Sequence, residues 1–429
     1  MRIVRAALVA ALLVAPLARA GEPAPALVLH GARVLDPAGE RWLEGQDVVV
    51  EGGRITALVP PGASGIPQSA RRIDLAGLCL LPGLIDLHSH LLLHPYDETS
   101  WDDQVLRESL ELRTIRAVAA ARSTLDAGFT TLRDLGTEGA GFADVALRDA
   151  IAAGLVPGPR VLATTRAIVA TASYGPAGFD PRWDVPQGAQ EASGVAEIRR
   201  VVREQVGAGA DWIKVYADYR RRPGAPATPT FAQEELDALV DEARAAGLPV
   251  AAHAATDEGI RRSVRAGVAT IEHGTGASAD TLRAMQERGV VLCPTLAASD
   301  AVARYAGWNG SAPEPESIRE SRAMFARALA SGVAIACGSD VGVFPHGDNV
   351  REIELMVAYG MPADAALRAA TLVAARVLGL QDQLGRIAPG HLADLVAVRG
   401  DPLRDPSALR KPALVIRAGA LWRTSTDRP

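Results

Sequence analysis

The sequence predicts an α/β protein: a (β/α)8 TIM-type barrel joined to a small β-sandwich domain built from both chain ends. Three observations carry this expectation. Eight apolar, β-branched runs recur between residues 84 and 340, with helical patterns between most of them, as the strand–helix repeat of a parallel barrel requires. Short β-rich pieces stand at both ends of the chain, each too short to bury a core alone. The first internal run, residues 84–90, is followed by no Gly-rich phosphate loop, the usual mark of an open doubly wound sheet.

In chain order, residues 1–20 read as a secretory signal peptide. Arg2 and Arg5 precede an apolar run over residues 6–17, and Ala18-Arg19-Ala20 gives a small-x-small cleavage site. The run is short for a spanning helix, and an uncleaved membrane anchor is the alternative. The mature protein is therefore expected to be exported, to the periplasm or beyond, with no stable membrane insertion. Strands are expected over 27–35, 47–50 and 54–58, with Glu51-Gly52-Gly53-Arg54 as a hairpin turn. Matching texture over 393–398 and 413–417 completes a composite domain of residues 21–83 plus 388–429. The barrel domain spans residues 84–387, with strands over 84–90, 129–135, 160–169, 212–217, 250–254, 270–273, 291–296 and 334–340. Helices over 234–246, 257–266 and 280–288 show apolar residues at helical spacing, and the last two end near a Gly.

The 429 residues have room for one large domain and a satellite. With 48% apolar and 22% charged residues, the chain is neither disordered, collagenous nor a coiled coil. Lys and Arg total 45 against 50 Asp and Glu, a net charge of −5; no positive excess exists for nucleic acid. Cys79, Cys293 and Cys337 each sit in an apolar, strand-like run and read as buried hydrophobes rather than a disulfide framework.

The histidines are few, and their placement is informative. His88 and His90 fall at i and i+2 at the end of the first barrel strand, so both side chains point to one face about 7 Å apart and can grip one metal ion, two ordinary polar histidines being the alternative. His253 closes the fifth strand, His273 the sixth and Asp340 the eighth. Strand ends at the C-terminal mouth are where such a barrel places its chemistry. Lys214 is sharper still, because only it and Lys411 are lysines in an arginine-rich chain. It lies between Ile213 and Val215, an apolar setting that lowers an amine's pKa. A neutral amine can add carbon dioxide to give a carbamate able to bridge two metal ions. A lysine reaching Asp218 or the barrel mouth is the alternative.

The run Leu-Pro-Gly-Leu-Ile-Asp-Leu-His-Ser-His at 81–90 resembles the opening motif of the amidohydrolase superfamily of metal-dependent hydrolases. Ile271-Glu272-His273-Gly274, Gly338-Ser339-Asp340 and the closing run 385–395 extend the resemblance over essentially the whole mature chain. Within that superfamily the chain is most similar to the imidazolonepropionase-like group with its prolidase-like and Xaa-Arg dipeptidases and ochratoxin-hydrolysing relatives. The resemblance implies two zinc ions, with manganese or cobalt as substitutes. His88, His90 and Asp340 would hold one ion and His253 and His273 the other, with carboxylated Lys214 bridging. It further implies attack by a metal-bridging hydroxide, with Asp340 as general base and then acid.

Substrate contacts are less legible. Tyr219 and Arg220-Arg221-Arg222 follow the fourth strand, where a phenol and a cation can receive an oxyanion or a carboxylate. Tyr174 stands where many relatives carry Gly-Gly-His-Gly, and His94 and His346 lie in mouth loops. The expected substrate is a small molecule with an amide next to a free carboxylate: a dipeptide, or an N-acyl or aryl-amide amino acid such as an ochratoxin-type phenylalanine amide. A lactonase or cyclic-amide hydrolase, and a non-catalytic scaffold, are the competing readings. The resemblance also implies a homo-oligomer.

Overall fold

A computed structural model describes residues 26–63, 66, 69–180, 182–220, 222 and 224–424. The expected signal peptide lies outside the described residues. The chain opens with β1 (Leu27–Leu35), β2 (Trp42–Glu51), β3 (Arg54–Val59), β4 (Arg71–Asp74) and β5 (Leu78–Pro82). The Gly52-Gly53 turn joins β2 to β3 with both glycines at positive φ, 57° and 80°, the geometry a two-residue hairpin loop needs.

Parallel pairing then takes over. β6 (Leu84–Ser89) pairs with β7 (Phe129–Asp134), and β7 with β8 (Arg160–Ala163). β9 (Ile168–Ala170) lies between β10 (Gln190–Ala192) and β11 (Ile213–Tyr216). A small antiparallel hairpin follows, β12 (Asp218–Arg220) with β13 (Ala227–Pro229). β11 continues into β14 (Val250–Ala254), β15 (Thr270–His273) and β16 (Val291–Cys293). Parallel bridges from Leu292 to Ile335 and from Ser89 to Val341 carry the pairing back to β6. The amides of Asp211 and Trp212 donate to Ala163 O, linking β8 to the approach of β11.

The expected helices appear as Gln233–Ala245, Asp257–Ala266 and Ala279–Arg288. The latter two start on Thr256 and Ser278, whose hydroxyls accept from the third helical amide, and stop at Gly267 and Gly289 in the left-handed region.

Two strand expectations need correction. The third, expected unbroken over 160–169, splits into β8 and β9 around Thr165, which has φ 62° and gives its amide to Asp144 Oδ2 at 2.7 Å. The eighth, expected over 334–340, is reduced to isolated bridges at Ile335 and, just beyond it, at Val341. Ala336 N still donates to Leu292 O at 2.9 Å and Asp340 N to His88 O at 2.7 Å, but Ser339 N turns to Asp86 Oδ1 at 3.0 Å and Cys337 N to Ala369 O at 3.0 Å, so side-chain and helix acceptors interrupt the ladder.

The C-terminal strands β17 (Leu395–Arg399), β18 (Pro412–Arg417) and β19 (Ala420–Thr424) return to the N-terminal ones. β17 runs antiparallel to β5, Leu395 opposite Pro82, giving one eight-stranded sheet drawn from both ends of the chain. Its two faces serve different cores. Leu80, Leu395 and Ala397 pack with Leu29, Val34, Val48 and Ile416, whereas Leu81, Val396 and Val398 pack with Leu84 and Phe129 of the parallel strands. The three cysteines are buried and free, as expected. Among the described residues no helix is long and apolar enough to cross a membrane.

Candidate active site

The C-terminal ends of β6, β11, β14 and β15, with the segment ending at Asp340, converge on one cavity of about 340 Å³. His88, His90, His253, His273 and Asp340 all line it. His88 and His90 point the same way, as their i, i+2 spacing dictates. His88 Nε2 lies 3.5 Å and His90 Nε2 3.2 Å from Asp340 Oδ1. Each of these three residues offers a ligand atom within 4.8 Å of the others'. His273 adjoins them, its ring 5.2 Å from that of His88 and 4.5 Å from that of His253.

The far nitrogens explain how the imidazoles are aimed. His88 Nδ1 meets Glu272 Oε2 at 2.8 Å, His90 Nδ1 meets Gly136 O at 3.0 Å, and His273 Nδ1 meets Thr295 Oγ1 at 2.7 Å. Such contacts fix ring orientation and leave Nε2 for a ligand role. His253 is instead steadied by Tyr216, whose ring stacks on it at 4.4 Å and 12°.

Charge and burial favour a cation here. Burial holds His88, His253 and His273 below the ordinary histidine range, His273 at about 4, and the neutral imidazole is the ligating form. For His90 burial acts the same way, but the hydrogen bond and charge of Asp340 outweigh it and raise the ring to about 9. Asp340, despite its burial, is held well below the usual carboxylate range by His88 and His90. A metal ion between the two residues would replace the proton they share. Lys214 is 1% exposed, and its Nζ has no hydrogen-bond partner in the structure. Burial lowers its pKa, and its charge would act on both His88 and His253. A buried amine with nothing to bond is costly. The residues present therefore fit a metal centre, with Lys214 left needing a partner.

Backbone strain gathers at the same place. Glu138, His273, Thr295 and Asp340 all have positive φ, between 49° and 69°, and all line this cavity. Non-glycine residues rarely adopt that region, and they cluster at functional sites.

Of the expected substrate contacts, Tyr174 and Tyr219 line the cavity, along with Arg220; Arg221 lies outside the described residues. His94 does not: both its ring nitrogens are taken by Glu98 and Glu108, at 3.1 and 2.9 Å. His346 turns its Nε2 to Leu93 O at 3.1 Å and is absent from the lining. Sequence reasoning passed over Glu138 and Tyr216. Glu138 is buried and accepts from Tyr174 Oη at 2.6 Å and Trp101 Nε1 at 2.9 Å. Glu272, beside His273, was marked by its motif alone.

Parallel strands presenting four imidazoles and a carboxylate at their C-terminal ends form a set suited to a metal-dependent hydrolase. Residues 79–421 match the amidohydrolase family, and the chain belongs to it. The ochratoxinase of Aspergillus niger is 30% identical over 385 residues, covering 81% of this chain and 75% of the relative. A Xaa-Pro dipeptidase solved with methionine in its active site superposes with a TM-score of 0.82 at 33% identity, over 92% of this chain and 99% of the other. A prolidase solved with N-methylphosphonate-L-proline gives 0.81 at 32%, over 93% and 100%.

Proposed function

We propose that this protein is a binuclear zinc amidohydrolase that cleaves an amide bond adjacent to a free carboxylate. Its substrate is a dipeptide or an N-acyl or aryl-amide amino acid. The observation that carries the reading is the buried Lys214 amine, which has no hydrogen-bond partner and interacts electrostatically with His88, His253, His273 and Asp340. Addition of carbon dioxide with loss of a proton would turn that amine into a carbamate, an anion whose two oxygens could ligate metal. His88, His90 and Asp340 would hold one ion, His253 and His273 the other. The ions supply Lewis acidity to a carbonyl oxygen and make water acidic enough to lose a proton near neutral pH; manganese or cobalt would serve similarly.

The chain's own residues do the rest. Asp340 takes the proton of the attacking water and returns it to the departing amine nitrogen. Its amide donates to His88 O at 2.7 Å, which ties the base to the strand that carries two ligands. Tyr219 and Arg220 stand at the cavity wall to receive the carboxylate of the leaving residue. Among the described residues Arg220 makes no ion pair, its neighbours being the Tyr219 phenol and His253. The frame for this chemistry is a (β/α)8 barrel over residues 84–387, with residues 21–83 and 388–429 forming a β-sandwich beside it. On this reading the enzyme is exported, loses residues 1–20 and works as a homo-oligomer.

The test is release of free amino acid by zinc- and bicarbonate-loaded protein from a panel of dipeptides, N-acyl amino acids and aryl amides. One amino-acid class should be released, and Lys214→Ala should abolish the release. Asp340→Asn should lower turnover by about 10²–10⁴-fold without unfolding, because asparagine tolerates the left-handed backbone found there. Wild-type turnover in Asp340→Asn would remove Asp340 from the mechanism. No release from any member by metal-replete protein would overturn the amide reading and point to lactones or cyclic amides.

A further inference from the structure

A second, larger cavity of about 850 Å³ opens directly outside the first. The two share the walls formed by Tyr174, Tyr219 and Arg220. The chain has only six each of Trp, Tyr and Phe, yet Trp101, Trp183, Phe179, Tyr174 and Tyr219 all face this one outer space. Two of them are held rigidly. Trp101 and Tyr174 both donate to Glu138 Oε2, and their rings meet edge-on at 4.9 Å. Gly188 makes room for that arrangement, since a Cβ there would lie 2.3 Å from the Trp101 ring. Phe179 and Trp183, rings 6.3 Å apart, form the outer rim and are 40% and 64% exposed. Apolar ring surface is left facing water beside a cavity, which is favourable only if something covers it.

From this geometry we propose that the outer cavity is a subsite for a large flat aromatic side chain on the leaving amino acid. The inference deepens the proposed function and rests on it for orientation. With the substrate carboxylate at Arg220, on the shared wall, the side chain of the same residue extends into the outer cavity. The rest of the inner wall, where Leu93, Ala298, Val302 and Val343 stand with Tyr96 and Tyr216, does not face that space and leaves the acyl group the smaller compartment. Stacked or edge-on aromatic contacts reward a flat ring beyond its buried area. Glu138 is the positioning residue of the subsite, since it sets the Trp101 and Tyr174 rings without itself contacting the side chain.

The test uses holoenzyme and two mirrored series. The first is N-acetyl-alanine, N-acetyl-tryptophan and N-acetyl-3-(2-naphthyl)alanine; the second is N-acetyl-glycine against N-(2-naphthoyl)glycine. Within the first series kcat/KM should rise at least tenfold from alanine to the aromatic members, with no matching rise in the second. Trp183→Ala, at an exposed rim position that does not threaten folding, should cut the aromatic-to-alanine ratio by on the order of tenfold. A ratio unchanged by Trp183→Ala, or a preference that follows the acyl group, overturns the proposal. Calorimetric binding of free 3-(2-naphthyl)alanine against alanine, in wild type and Trp183→Ala, separates the two claims. If no member is hydrolysed but the naphthyl amino acid still binds at least tenfold tighter through Trp183, the amide reading fails and the subsite stands. Equal binding of both amino acids removes the subsite.

Discussion

The side chains that hold the ligands are as telling as the ligands. Glu272 lies in full burial between His88 Nδ1, at 2.8 Å, and Arg133 Nη2, at 2.9 Å. Arg133, also fully buried, adds a bond from Nε to Leu87 O and lies over the Trp212 ring at 4.4 Å. One carboxylate thus neutralises a buried cation and orients an imidazole proposed to bind metal. Removing it in Glu272→Ala strands the guanidinium, a change that costs about 3–5 kcal/mol. It also frees the His88 ring, which should weaken metal binding about 10–100-fold. Urea unfolding and metal titration read the two effects separately. A variant with wild-type midpoint and wild-type metal affinity would show that the pair does neither job. Glu272 carried a signal in the sequence through its neighbour His273, whereas Glu138 carried none. Glu138 is placed by a left-handed turn and by ring donors 36 and 37 residues away in the chain, and no local pattern announces that.

At the level of elements, the strands that carry ligands were the most legible. An i, i+2 histidine pair, and a histidine or aspartate closing an apolar run, need only strand alternation to be placed at a mouth. The segment before Asp340 shows where that reasoning stops. Its apolar run, Ala334–Cys337, looks like a strand, but just beyond it Asp86 on β6 captures Ser339: the carboxylate accepts from Ser339 N at 3.0 Å, Ser339 Oγ at 2.5 Å and Asn349 Nδ2 at 2.7 Å, besides His88 N at 3.0 Å. A distant carboxylate competing for ladder donors is invisible to periodicity. The same competition, by Asp144 at Thr165, divided the third strand. Asp86 therefore acts as the clasp that sets Asp340 against His88 and His90. Asp86→Ala should leave several buried donors without acceptors and destabilise the fold by about 3 kcal/mol or more. Asp86→Asn, which retains one acceptor oxygen, should lose less. If denaturant midpoints of the two variants match wild type, the clasp is not what holds the segment.

At the scale of the whole molecule, the alternation along β17 joins the two chain ends to the catalytic unit. Leu395 and Ala397 enter the core of the end-built sheet, while Val396 and Val398 enter the core shared with the parallel strands. Polar ties cross the same boundary. Arg160 on β8 bonds Asp394 at 2.8 Å, Trp422 on β19 reaches Asp126 at 2.8 Å, and Gly83 N donates to Asp394 O at 2.7 Å. A sheet with one face in each core cannot melt without opening both. The protein should therefore unfold in a single calorimetric transition, its van't Hoff and calorimetric enthalpies agreeing. Leu395→Ala removes a fully buried side chain from the sheet's own core and should cost about 2–5 kcal/mol. The substitution lies far along the chain from the proposed metal ligands, yet it should move the whole transition to lower temperature and carry the loss of bound metal with it. A separate low-temperature step in that variant, with metal retained through it, would show instead that the end-built sheet is an independent appendage.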